Sequence, residues 1–288
     1  MIAILGGIGA AACFATATLC SSRSSRMIEP GSVLAWVMLV GLSVTLPVVV
    51  LAGPPSTIHG DDLGWLVVIG ITNAVGLLFA YRALRVAKVG LVAPVVSTEG
   101  AIAAVLAIAA GEGIAAGTAV LLAVIAVGVC LAALTPEEGE ASGSGDAPAG
   151  RSARGMGYAV AAACSFGLTL YATARAGAHL PVAWVLVPAR VAGVLLFALP
   201  LAALGRLQLT RPALPLVVAG GLSEVLGVVS YTLGTRHGIA VTSVLASQFA
   251  TLSAVAGYLL FRERLANVQV VGVAATVIGV AALSVVQA

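Results

Sequence analysis

The sequence predicts an all-α integral membrane protein of about ten transmembrane helices, arranged as two inverted five-helix repeats, and three observations predict it. Of the 288 residues, 60% are hydrophobic and 9% charged, against roughly 45–50% and about 25% in an ordinary soluble domain. The apolar residues fall into runs of about 20, the length a helix needs to cross a hydrocarbon core of roughly 30 Å. The runs also repeat: the second half of the chain echoes the first across a polar linker.

Composition sets the class. A water-soluble fold needs a polar skin, and 14 Lys and Arg with 11 Asp and Glu cannot cover a chain of this size, so the remaining surface faces lipid. The net charge of +3 is small, and the basic residues lie between apolar runs without forming a stripe interleaved with aromatics. Nucleic acid is therefore excluded as a partner. Cys13, Cys20, Cys130 and Cys164 sit inside apolar runs without metal-ligand spacing and read as small packing residues, so neither a metal nor any other cofactor is expected. Ala15-Thr16-Ala17 mimics a signal-peptidase site, but no Lys or Arg precedes it, and its internal copy makes the stretch part of the fold.

Taken in order, the apolar runs cover 2–22, 31–53, 63–83, 88–111, 114–134, 155–176, 181–204, 213–235, 238–261 and 266–287. The break between the third and fourth is short, marked by Arg82, Arg85 and Lys88, which leaves a nine-helix count open. Residues 135–154, TPEEGEASGSGDAPAGRSAR, have the composition of a flexible polar linker and divide the chain into repeats over 1–134 and 155–288. At an offset of 151, Ala11, Ala12 and Cys13 fall on Ala162, Ala163 and Cys164; at 150, Gly70 meets Gly220, Tyr81 meets Tyr231 and Ser97 meets Ser247. Five helices is an odd number, so the second copy enters the membrane from the opposite side. Inverted repeats recur in secondary transporters, because two equivalent packings of the halves supply outward- and inward-open states around one site.

Ionisable groups inside spanning helices cost roughly 2.5–3.5 kcal/mol each on insertion scales and survive mostly where they face a cavity or a partner. Glu99, Arg190 and Glu224 lie near the middle of the fourth, seventh and eighth runs. In one reading Arg190 neutralises Glu224 or receives a substrate carboxylate, while Glu99 binds a cationic group or takes up a proton; in the other, Arg190 and Glu224 are a structural ion pair and Glu99 an internal hydrogen-bonding residue. Glu99 aligns with Phe249 and Glu224 with Ala74, an asymmetry that leans toward function. Asn73, Tyr81, Ser97, Ser223, Tyr231, Ser247 and Gln248, with Ser243, are candidates for a cavity wall, although a lone Ser in a membrane helix also bonds its own backbone. Tyr81 and Tyr231 are either gates over the cavity or interfacial anchors. Pro94 and Pro188 are candidates to break helices around the site. The fifth and tenth helices carry almost no polar groups, and Gly113-x-x-x-Gly117 and Ala275-x-x-x-Gly279 suit an outer support or a homodimer contact.

No catalytic arrangement is present in the sequence. It has no GxxxxGK[ST] loop for ATP, and His59, His179 and His237 all fall near loops, away from any Ser/His/Asp or His/Cys grouping. The expectation is therefore a carrier of a small molecule and not an enzyme, with His237 beside Arg236 as a pH-sensing candidate. The competing readings are an uncoupled facilitator, or a membrane scaffold or intramembrane enzyme with a lipid-like substrate.

Two segments resemble a known family. FAYRALRVAKVGLVAP (79–94) and GYLLFRERLANVQVVGVAATVIGVAAL (257–283), the latter with Glu263-Arg264-Leu265 before Gln269 and Gly272, are similar to EamA-type members of the drug/metabolite transporter superfamily. Glu112 occupies the place of that Glu in the first half, without the Arg-Leu that usually follows. The resemblance implies a ten-helix bundle with a central cavity in the cell membrane, proton- or exchange-driven export of amino acids, metabolites or drugs, and cytoplasmic termini. The loop charges argue otherwise. Under the ten-helix count Arg175 and Arg236 share the side of the termini, whereas Arg23, Arg26, Arg82, Arg85, Lys88, Arg151, Arg154, Arg206, Arg211, Arg262 and Arg264 lie opposite, so the positive-inside rule puts both termini outside. The charge bias is the only orientation signal internal to the sequence and is placed ahead.

Overall fold

The computed structural model describes residues 1–55, 60–86, 92, 95–133, 149–249, 251–252, 255 and 267–286. Among them every regular element is helical. In chain order these are α1 (Ile2–Ser24), α2 (Pro30–Ala52), α3 (Gly60–Val86), α4 (Glu99–Ala109), α5 (Ala116–Ala133), α6 (Ala149–His179), α7 (Val182–Ala203), α8 (Leu214–Thr235), α9 (Ile239–Ala246) and α10 (Asn267–Val286). Six, namely α1, α2, α3, α6, α7 and α8, contain stretches long and apolar enough to cross a membrane. α1, α2, α3, α5, α7, α8 and α10 lie within a few residues of the expected spans; α6 begins at Ala149, inside the expected linker, and α4 and α9 cover only parts of the fourth and ninth runs.

Side-chain size is distributed in the sense that a lipid solvent dictates. Large apolar groups face outward, with Leu51 87%, Val50 70%, Ile278 67% and Leu5 66% exposed, while the interior is alanine-rich. Ala10, Ala35, Ala103, Ala159, Ala162, Ala172 and Ala240 are wholly buried. Between helices in lipid there is little hydrophobic gain, so close backbone approach through small residues supplies the packing. Gly6 and Gly234 let α1 and α8 nearly touch: a Cβ on Gly6 would lie 2.5 Å from the Gly234 Cα. On α8, Gly227 receives the Phe14 ring of α1, and on α3 Gly76 receives the Phe166 ring of α6.

The main packing partners come from opposite halves of the chain. α1 lies along α8, α3 along α6 and α5 along α10; α1 also meets α9, and α6 meets α4. α2 packs on α7 and α8, and α3 on α7. Gly279 of α10 faces Ile125 of α5, so this close-approach position is used inside the chain, whereas Gly113 and Gly117 face open space.

Among the described residues, irregularities fall at three places. The fourth and ninth runs, each expected as one span, are interrupted by a turn, at Ser97-Thr98 just before α4 and at Ser247-Gln248 just after α9. In α7 the chain runs as an α-helix through Pro188, so this residue is not the expected break. The departure is a π-helical turn, Val194–Ala198, which ends just before Pro200. Proline lacks the N–H that would bond one turn back and its ring crowds that carbonyl, and a wider turn relieves both demands. Pro94, the other expected breaker, lies outside the described residues, as do His59 and Glu263-Arg264-Leu265.

Candidate functional site

The first cluster joins three helices. Arg190 of α7, 2% exposed, places its Nη1 2.7 Å from Oε1 of Glu224 on α8. Room for the guanidinium comes from α2, where Gly41 has no side chain; a Cβ there would lie 2.9 Å from the Arg190 Cδ and 3.0 Å from its Nε. Met38, one turn earlier on α2, offers its thioether sulfur 3.5 Å from Nη1. The Arg190 Nε has no hydrogen-bond partner among the described residues, and the Glu224 side chain keeps 26% of its surface exposed. The charge pair is thus shielded on the arginine side and more open on the carboxylate side.

The second cluster forms where α4 crosses α9. Thr98 closes the turn before α4 by donating both its backbone N–H and its hydroxyl to the Val95 carbonyl, at 3.1 and 2.7 Å. Glu99 follows in the first turn of α4, where the free backbone N–H groups favour a carboxylate. Gly100 lets this turn press onto α9: a Cβ would collide with the Ser243 carbonyl and with the Ser247 side chain. On the other flank Gly167 of α6 leaves room for the Glu99 carbonyl. Glu99 is half-buried and makes no hydrogen bond or ion pair with a described residue. It does not join the Arg190–Glu224 pair.

Of the polar residues expected to line a cavity, Tyr231 is the most firmly held. It is 1% exposed, donates its hydroxyl to the Leu170 carbonyl of α6 at 2.9 Å and shares a 2.8 Å hydrogen bond with Ser243 of α9. That position is inside the packed helices, where the two bonds tie α8 to α6 and α9. Ser247 is buried and donates to the Val244 carbonyl, the backbone-bonding use. Gln248 is 5% exposed and its Oε1 has no partner among the described residues. The same holds for the hydroxyl of Thr251, one turn on, and for the Asn73 Nδ2 of α3. Ser97 is buried and Ser223 half-buried. Tyr81 is in α3, but its side chain lies outside the described residues.

The face that carries the N-terminus holds what the sequence reading missed. A cavity of about 500 Å³ opens there, lined by Ala107, Glu112, Tyr171, Arg175, Thr235 and His237 among others. At its rim Gly111, with φ +99°, ends α4; its N–H bonds the Ile108 carbonyl and the next N–H bonds that of Ala107. This turn aims Glu112 at α9, where its carboxylate accepts hydrogen bonds from the backbone of Ile239 at 3.1 Å and Ala240 at 3.3 Å. Arg236, between α8 and α9, donates from Nε to the Gly177 carbonyl at 2.8 Å and from Nη2 to that of Leu180 at 3.4 Å, at the end of α6. Gly111 and Gly238, flanking the two helix ends, were the only local signals of these contacts. Among the described residues no group of three or more His, Cys, Asp or Glu comes together to hold a metal ion.

Comparison with known proteins gives the arrangement a context. Residues 1–134 match the model of the EamA-like transporter family, as the resemblance of the 79–94 segment implies; the 257–283 segment lies outside the match. No curated protein shows a significant match. A solved structure titled "Crystal structure of protein" aligns over 99% of this chain and 97% of its own, with a TM-score of 0.78 at 19% identity, a likeness of fold alone.

Proposed function

We propose that this chain, an integral membrane protein whose residues 1–134 match the EamA-like transporter family model, is a secondary transporter. It moves a small polar or amphipathic molecule, an amino acid, metabolite or drug, across the cell membrane by alternating access, with export driven by proton coupling or exchange. The observation that carries this is the pair of interrupted spans. They break at positions equivalent in the repeat, Ser97-Thr98 and Ser247-Gln248, and cross where Glu99 begins α4. Interrupted helices expose backbone and polar side chains at membrane depth, where irregular structure is tolerated only around a cavity or a site. The unpartnered atoms of Gln248, Thr251 and Asn73 support the same reading, because a buried polar group without a partner costs about 1–3 kcal/mol that a ligand's hydrogen bonds would offset.

The roles divide between the clusters. Glu99, without a counter-ion among the described residues, takes up the proton or the cationic group of the substrate. Arg190 and Glu224 bind polar or charged substrate groups, with Glu224 as the accessible member. Asn73, Tyr81, Ser97, Ser223, Tyr231, Ser247 and Gln248 line the path. The crossed packing, α1 with α8 and α3 with α6, supports two inverted five-helix repeats over 1–134 and 155–288, since a two-fold axis in the membrane plane exchanges these pairs. A homodimer would use the outer faces of α5 and α10, near Gly113 and Gly117.

A thermal-shift screen of the purified protein against amino acids, sugars and quaternary amines identifies ligands. Flux of each hit in proteoliposomes, with and without a pH gradient, tests the function. Gradient-dependent flux is expected. Equal flux in both conditions makes the chain a facilitator, and stabilising hits without flux point to a scaffold or an intramembrane enzyme.

A further inference from the structure

Neither of the two sequence halves packs as a unit. By their contacts, α1, α8 and α9 form one group and α3, α4 and α6 another, each drawing helices from both halves; α2 and α7 pack on each other and, between them, on both groups, while α5 and α10 pair with each other. A rocking motion between these groups strains every bond that crosses from one to the other. On the face of the N-terminus two such contacts are made by charged side chains on backbone groups. Glu112, at the end of α4, caps the N-terminus of α9, and Arg236, at the start of α9, caps the C-terminal carbonyls of α6. Each charge sits at the helix end whose dipole favours it, the carboxylate on free N–H groups and the guanidinium on free carbonyls, so both contacts are charge-assisted.

We propose that Glu112 and Arg236 form a two-point clasp that holds the terminus-bearing face closed between the two groups and must release for that face to open. The proposal rests on the transport reading and adds its gate. The cavity outside the seam is bounded by Glu112 on one side and by Thr235 and His237, which flank Arg236, on the other. Tyr231 bridges α8 to α6 and α9 as well, a further hydrogen-bonded contact between the two groups of helices. Gly111 and the bonds that follow it fix Glu112 relative to α4, so the capping bonds cannot persist if α4 and α9 separate.

Alkylation of a single cysteine reads the clasp without any substrate. Ala103, wholly buried on α4 in the cluster with Ala240, Val244 and Leu245, marks the seam, and Ala163, 1% exposed on α6, marks the packed interior away from it. Each is changed to Cys, in nanodiscs, in a chain whose four native cysteines are replaced by serine. Loss of a charge-assisted cap corresponds to about a tenfold change in an opening equilibrium. E112A and R236A should each therefore raise maleimide labelling at A103C several-fold to tenfold, with the double variant higher still. E112Q, which keeps an acceptor oxygen, should raise it less, and labelling at A163C should stay at the parental rate. Unchanged labelling at A103C in both single variants would overturn the clasp, and so would a parallel rise at A163C, which means general loosening. If A103C responds as expected while wild-type proteoliposomes move no ligand, the transport reading fails and the hinge between the two groups stands.

Discussion

At the scale of single residues, the buried arginine sets the sharpest demands. Stranding one member of a buried pair costs roughly 3–5 kcal/mol, more than removing both, because the remaining charge has no solvent to return to. R190A should therefore lower the melting temperature in detergent more than R190A combined with E224Q, and a double variant no better folded than the single would deny the pair its role. Gly41 gives an independent handle on the same group. Its substitution by Ala puts a methyl 2.9 Å from the Arg190 Cδ, and overpacking of this kind costs about 1–3 kcal/mol. G41A should thus be destabilising, and less so in the R190A background, where the space is free. The two carboxylates should also part company: E99Q is expected to abolish gradient-driven flux, while E224Q chiefly alters substrate affinity. Equal and negligible effects would remove both from the site. The rarity of charge in an apolar run made Arg190, Glu224 and Glu99 legible in the sequence. What Arg190 leans on was not, since nothing in the run around Gly41 announces that its missing side chain serves a helix more than a hundred residues away.

At the scale of elements, apolar length predicted most spans to within a few residues, because in lipid each helix satisfies its own backbone and the bilayer fixes its length. The interruptions were legible only in kind. Proline was taken as the breaker, whereas α7 passes through Pro188 and widens into a π turn before Pro200, and the described breaks fall at Ser97-Thr98 and Ser247-Gln248. Serine and threonine close such turns with their own hydroxyls, as Thr98 does on Val95, a signal too common in membrane helices to single out in advance. Glu112 and Arg236 escaped for a related reason, since a cap on a distant helix end depends on tertiary placement that no local pattern encodes. The crossing of α4 and α9 makes its own prediction. A methyl at Gly100 has a backbone carbonyl, that of Ser243, in its way, with no flexible side chain to yield. G100A should destabilise the fold by more than G117A, whose site faces open space. Similar melting temperatures for the two would mean that the helices do not cross there.

At the scale of the whole molecule, the matched residues carry the proposed duplication, but the packing is not legible in them. Matching Ala11 to Ala162 says that the halves are alike in sequence; it does not say that α1 will lie along α8 and α3 along α6, helices from opposite halves. Orientation is a second whole-molecule property. The loop charges put the termini outside, and a reporter fused after Ala288 that fluoresces only in the cytoplasm should leave cells dark; bright cells would show that the basic residues of the loops serve packing or ligand instead. The central claim is that a small molecule crosses the bilayer through this chain, and pyranine-loaded proteoliposomes test it most directly. They are challenged in turn with amino acids, sugars and quaternary amines, and lumenal pH and uptake are followed together. The account predicts at least one compound that stabilises the purified protein, enters wild-type vesicles with a coupled change in lumenal pH, and loses that coupling in E99Q. Vesicles in which every stabilising compound is excluded as completely as from protein-free liposomes would contradict it.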